Sequence, residues 1–464
     1  MPLIPEIVPQ TVEREIVESR REDAIVALAN NVVDIKYKDL PQIAREAAKR
    51  DVLNIIGVEL AGAKFPECKA LADYIKEEGG KQEATIVNYG GKVPVANAVL
   101  MNCALARSWD QDDCHNLAAV HSTCTTVPVA FAMAEREGKA SGKDIITAVA
   151  LGNDLIIRLG LSHRFGSLST GIVATSTLGR PGAAAVAGKF LGLDKSQMAD
   201  ALAIALVQGA VPLLPTTGGP GVVFGMIIRP GVVSALLASR GLKGARNILE
   251  RRRGYYDIFA HNQVYPEKVT AELGKKFWGT KLGIKLYPSC RHTHATIQGV
   301  LELVHRYDIN QNDVELITTR GNHVLLQMME PGFRLDKLVG LAVVKREMSI
   351  DTLADIQNPE VLEVANKVKA FLDPELAMVE PEGVGPVIVE IRTKDGRIHS
   401  TRVDCIKGDH TESPWSIDEL VDKFRRNASH AAKAVPAKNL DQAIEMLCNL
   451  EEVDNVSRII QLLS

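Results

Sequence analysis

Aromatic residues are scarce in this chain of 464 residues, at 5%. Its interior must therefore be filled by Ala, Val, Leu and Ile, as closely packed helical bundles often are. Basic residues are not in excess: the net charge is -3 with a pI near 6.4, and no run of five Lys or Arg occurs. That removes the electrostatic footprint of a nucleic-acid-binding protein. The seven cysteines form no CxxC pair, which fits reduced thiols better than a disulfide framework or a zinc site. No metal-ligand spacing occurs elsewhere, so no metal is expected. The Met-Pro-Leu-Ile-Pro-Glu start lacks the apolar stretch of a secretory signal, so the cytoplasm is the expected location.

The longest charge-free stretch, Ala201 to Ile228, exceeds the roughly 20 residues that cross a bilayer. Pro212, Pro215, Pro220 and Gly218-Gly219 interrupt it, so a buried helix ending in a buried loop is expected rather than a membrane span. At 46% hydrophobic, the chain is long enough for two domains with a core each.

Helical periodicity dominates the first half, over Leu40 to Ile56, Pro94 to Ala106, Gly142 to Leu159, Gly182 to Leu191, Gln197 to Gln208 and Gly231 to Arg240. The texture changes near Pro266. Val314 to Arg320 alternates as a strand does, and Val387 to Thr393 and Arg397 to Asp404 flank Lys394-Asp395-Gly396, a hairpin signal. Helices return at Pro414, with Ser416 as a cap. The expected fold is mainly α. A large, discontinuous all-helical domain, 1–266 and 405–464, carries a smaller inserted α+β lid, 267–404.

Ser108 to Ser122 holds Asp110, Asp112, Asp113, Cys114, His115 and His121, next to a stretch from Asn116 to Ala134 with no charged residue. Carboxylates against apolar walls have shifted ionisation and can serve as acids or bases near neutral pH. On a helix, Asp110, Asp113 and Cys114 would share one face and Asp112 would point away. His121 precedes a run of capping residues at a helix start, where anions also prefer to bind. Lys285 to His294, Lys-Leu-Tyr-Pro-Ser-Cys-Arg-His-Thr-His, places Ser289 as an N-cap. Free backbone N–H groups, Arg291 and Lys285 could then converge on one carboxylate or phosphate, with His292 close by. The loop Thr216 to Gly221 has neither Walker nor dinucleotide-fold spacing.

At these segments the chain resembles the MmgE/PrpD family, whose members are dehydratases, decarboxylases and epimerases of small polycarboxylates. The family's Asp-x-x-Asp-Thr and His-Pro-Ser are similar to Asp110 to Cys114 and His121-Ser122. Its Lys-x-Tyr-Pro-Ser-Cys-x-x-x-His is similar to Lys285 to His294, and its closing Lys-Phe to Lys423-Phe424. The resemblance implies a cofactor-free site between a helical domain and a lid, a homodimer, and a di- or tricarboxylate substrate. It carries catalytic roles to Asp110, His121 and Lys285. Substrate contacts are expected from Asp113, Cys114, Ser289, Arg291, His292 and His323. Cys114 stands where threonine is usual, and Thr170, the Gly218 to Gly221 loop and His323 depart from the decarboxylase branch. The expected activity is a hydratase or dehydratase acting beside a carboxylate; an epimerase and a non-catalytic carboxylate binder are the rivals.

Overall fold

The computed structural model describes residues 23–163, 173–209, 220–379 and 383–464. The first half is helical: α1 Ala24–Asp34, α2 Gln42–Gly62, α3 Pro66–Glu78, α4 Val95–Arg107, α5 Thr123–Glu137, α6 Gly142–Leu161, α7 Ala174–Phe190, α8 Lys195–Leu206 and α9 Pro220–Ala238. Local chemistry sets many of the starts. Asp23 caps α1, Ser141 with Asp144 boxes α6, and Asp194 with Gln197 boxes α8.

Two helices begin earlier than their apolar periodicity suggests. α7 runs through Pro181 from Ala174 rather than starting at Gly182, and α9 starts at Pro220 rather than Gly231, with Pro230 inside it. Packing outweighs the single hydrogen bond each internal proline removes. α9 lies against α4 and α7, and a Cβ at Gly221 or Gly225 would come within 2.3 Å or 2.0 Å of α4 carbonyl oxygens. The end of the Gly-rich run thus permits helix contact. Gly221–Ala238 is long and apolar enough to cross a membrane by length and composition, but 50% of it is buried in this packing.

Strands are few. β1 Ala84–Thr85 pairs with β2 Lys92–Val93, and β3 Asp113–His115 pairs antiparallel with the distant β4 Leu282–Ile284. A four-stranded sheet has the order β6-β5-β7-β8, from β5 Val314–Gly321, β6 Val368–Leu372, β7 Val387–Thr393 and β8 Ile398–Val403. The hairpin β7–β8 forms as its Asp-Gly signal predicts, with Gly396 at φ 85°. The parallel strand β6 carries no alternating pattern, and its pairing with β5 is non-local.

α10 His294–Arg306 covers β7 and β8 and packs on α11 Leu335–Lys345. Two apolar cores result. One joins the N-terminal helices to Trp415 through Leu463, and the other gathers residues between Tyr287 and Ile406. The return to the first core is made by α12 Ile417–Ser429, boxed by Ser416 and Glu419, which packs on α2, followed by α13 Ala437–Cys448.

Candidate active site

α4 stops at Arg107, and the chain turns through Asp110, a left-handed residue with φ 52°, into β3. The acidic segment is therefore not a helix, and the face expected to hold Asp110, Asp113 and Cys114 does not exist. Extended backbone instead sends Asp112 and Asp113 to opposite sides. Asp112, expected to point away, is fully buried and receives Arg107 Nη1 and Lys285 Nζ, each at 3.1 Å. Asp113 caps α5 from a distance: its carboxylate accepts from the Ser122 and Thr123 amides, both at 3.1 Å, and from the Thr123 hydroxyl. Asp113 thereby anchors the helix start.

Lys285 is delivered by the β3–β4 pairing, in which Asp113 faces Ile284. Its backbone N–H donates to the Asp112 carbonyl at 3.1 Å, and its buried Nζ lies 2.5 Å from Asp110 Oδ1. Arg107 also donates to Asp110. Burial opposes ionisation of Asp110, but the Arg107 and Lys285 charges outweigh it and hold the carboxyl down to about 2. Asp112 follows the same balance, well below the usual carboxylate range. Burial opposes the Lys285 charge, and Asp110 and Asp112 overcome it, keeping Lys285 above the ordinary lysine range.

His121 completes the cluster. Its backbone N–H donates to Thr175 Oγ1 at 3.0 Å, and its Nδ1 donates to the Asp113 carbonyl, with Asp112 Oδ2 3.5 Å away. A carbonyl only accepts, so the proton sits on Nδ1 and Nε2 keeps its lone pair. Burial, Lys285 and Arg107 push the imidazole below its usual range, against Asp112, leaving a neutral base at pH 7. The side chains of Asp110 and His121 are 32% and 14% exposed while those of Asp112 and Lys285 are at 0%, so the cluster opens at Asp110 and His121.

Ligand atoms of Asp110, Asp112 and His121 lie within 4.8 Å of one another, a spacing that could hold a metal. Lys285 and Arg107 are paired with the Oδ1 atoms of both carboxylates, and two cations this close compete with an ion for the same charge.

Residues 26–268 match the MmgE/PrpD N-terminal domain, and residues 287–449 match the MmgE/PrpD C-terminal domain. The chain belongs to the MmgE/PrpD family. Its relatives include a cis-aconitate decarboxylase of Aspergillus terreus, 25% identical over 92% of this chain and 93% of that protein. The cis-aconitate decarboxylase-like protein oryM of Aspergillus oryzae is 25% identical over 97% and 99%, and the cis-aconitate decarboxylase of Homo sapiens is 24% identical over 94% of each.

Within this MmgE/PrpD chain the second motif contributes less than its composition suggests. Arg291 is engaged by main-chain carbonyls: its Nη1 donates to those of Lys407 at 3.0 Å and Ile284 at 3.4 Å, and Nη2 to Ile406 at 3.5 Å. Three carbonyls from the strap after β8 and from β4 take up the guanidinium. Ser289 is not the N-cap, because a 3-10 turn, Arg291–Thr293, precedes α10; its hydroxyl pairs with Thr293 Oγ1 at 2.9 Å. His292 stays near the cluster, with Nδ1 3.6 Å from Cys290 Sγ. Burial, His121 and Lys285 lower it to about 4. Cys114 is buried and pushed up to about 12 by burial, which keeps its thiol protonated. His323 is exposed at the first turn of the helix His323–Gln327, which packs near the Arg291–Thr293 turn. Thr170 and the 216–219 loop lie outside the described residues.

Four residues of the site have no role in the sequence pattern: Arg107, Asp112, Asn54 and Lys423. Arg107 stands three residues before Asp110 at a helix end, a spacing that could have flagged it. Lys423 was visible only as part of a closing motif, without a role. A cavity of about 440 Å³, lined by Gln42, Glu46, Arg50 and His410 among others, contains none of the cluster and lies apart from this chemistry.

Proposed function

We propose that this protein is a cofactor-independent lyase that moves a proton at the carbon beside a carboxylate of a small hydroxy di- or tricarboxylate. The observation that carries this is a neutral His121, its Nε2 free, set beside the Lys285 ammonium. Removing such a proton builds charge on the carboxylate, and a buried ammonium stabilises that charge where water cannot. Asp110, at the open side, holds Lys285 until a substrate carboxylate takes its place. His121 takes the proton, the neighbouring hydroxyl leaves, and the proton on Nε2 goes out with it as water. Addition of water to the alkene is the reverse. In this reading the 267–404 unit acts as the lid, the working form is a homodimer, and the cytoplasm is its compartment.

A second reading, decarboxylation, is favoured by the relatives, which are cis-aconitate decarboxylases. It uses the same two groups: carbon dioxide leaves, and a proton is delivered to the carbon that lost it. Incubation in deuterated water with di- and tricarboxylates and their hydroxy and alkene forms, followed by NMR, separates the two by product. Exchange or turnover should fall by about 10²–10⁴ in His121→Gln. A panel member that raises thermal stability with no exchange and no product would overturn the lyase reading in favour of a carboxylate-binding protein.

A further inference from the structure

A side chain near the C-terminus, on α12, links the Asp110–Asp112 turn, the Lys285 segment and α2. Lys423 is buried, and its Nζ donates to Lys285 O at 2.7 Å, Asn54 Oδ1 at 2.8 Å and Gln111 O at 3.1 Å. Burial pushes Lys423 down to about 7, and its three oxygen partners can take up all three N–H groups of the ammonium form. Asn54 closes the knot by donating Nδ2 to the Asp112 carbonyl at 3.2 Å, the same carbonyl that accepts from Lys285 N at 3.1 Å.

We propose that Lys423 is a positioning residue: it fixes the spacing between the acidic turn and Lys285, and through Asp113 O it fixes the ring of His121. The inference rests on reading the cluster as the active site. The chain from Lys423 to the base is short. Gln111 and Asp112 are held by the knot, Asp113 follows them directly, and its carbonyl accepts from His121 Nδ1. The groups around His121 are Lys285, Arg107, Asp110, Asp112 and His292. An ammonium with no carboxylate partner is costly to bury, and a packing role alone would be met by a methionine.

The test is Lys423→Met in the full chain, with histidine ring ¹⁵N shifts measured alongside exchange in the carboxylate panel. The unaltered protein should show His121 protonated at Nδ1 and bare at Nε2. The variant should show a mixed tautomer and a turnover lower by roughly 100-fold, the scale of a 1 Å misplacement, with KM little changed. Lys423→Arg should restore most of both. Should Lys423→Met not fold, Asn54→Ala breaks the same knot and is expected to give the same tautomer signature. A folded variant with the original tautomer and turnover within about threefold overturns the inference. A tautomer change in a protein that exchanges none of the panel sinks the lyase reading and leaves the positioning role standing.

Discussion

Two short segments of this chain are equally rich in chemistry on paper, yet one places three side chains in the cluster and the other places one. Asp110 to His121 brings Asp110, Asp112 and His121 to within a few ångströms of each other. Lys285 to His294 sends only Lys285 into the cluster, while Arg291 and Ser289 turn to protein atoms and His292 stands beside it. What separates them is whether the side chain finds main-chain carbonyls to satisfy it before it reaches the site. Arg291 finds three, so its charge is spent on joining β4 to the strap after β8. Lys285 finds carboxylates instead, and a carboxylate partner leaves a cation able to exchange its anion for another.

The comparison breaks most visibly at Lys285. Lys285→Met leaves Asp112 buried beside Arg107 alone, and should cost roughly 3–5 kcal/mol in urea denaturation as well as abolish exchange. Arg291→Met should cost about 2–3 kcal/mol for its unpaired carbonyls, while turnover per folded molecule stays within about threefold. If the Arg291 variant were stable but inactive, the guanidinium would belong to the site after all.

Asp113 sharpens the contrast within the acidic segment. Burial and the Asp112 and Asp51 charges raise it from the ordinary 3.8 to about 7, against its hydrogen bonds from Thr123 and Ser122. An acid raised in the folded state binds more protons there than when unfolded, so it lowers stability as pH rises from about 4 to about 7. Thermal melts of Asp113→Asn should lose that slope, at the expense of a weaker helix cap. The smallest effect is expected from His323→Ala, within about 0.5 kcal/mol in stability and unchanged in turnover. A loss beyond tenfold there would bring its helix over the site as part of the lid.

Much of the architecture is legible in the sequence. The Ser416 cap and the Asp395-Gly396 turn act within a few residues, so a linear pattern reports them faithfully. The MmgE/PrpD motifs were equally plain, and with them Asp110, His121 and Lys285. The errors share one cause. A helical face was assumed for Asp110 to Cys114, which reversed Asp112 and Asp113, because the segment's only regular hydrogen bonding is to Leu282–Ile284, far away in sequence. Strand β6 escaped notice for the same reason.

The amino-acid order by itself therefore determined where most helices start, which residues carry ionisable groups, and the family to which the chain belongs. Tertiary structure alone decided which of those groups face one another. Capping and turn formation are local energies between neighbours, whereas the Asp112–Lys285–Arg107 arrangement and the Lys423 knot exist only once burial has removed water. Desolvated charges must then find partners wherever the fold supplies them.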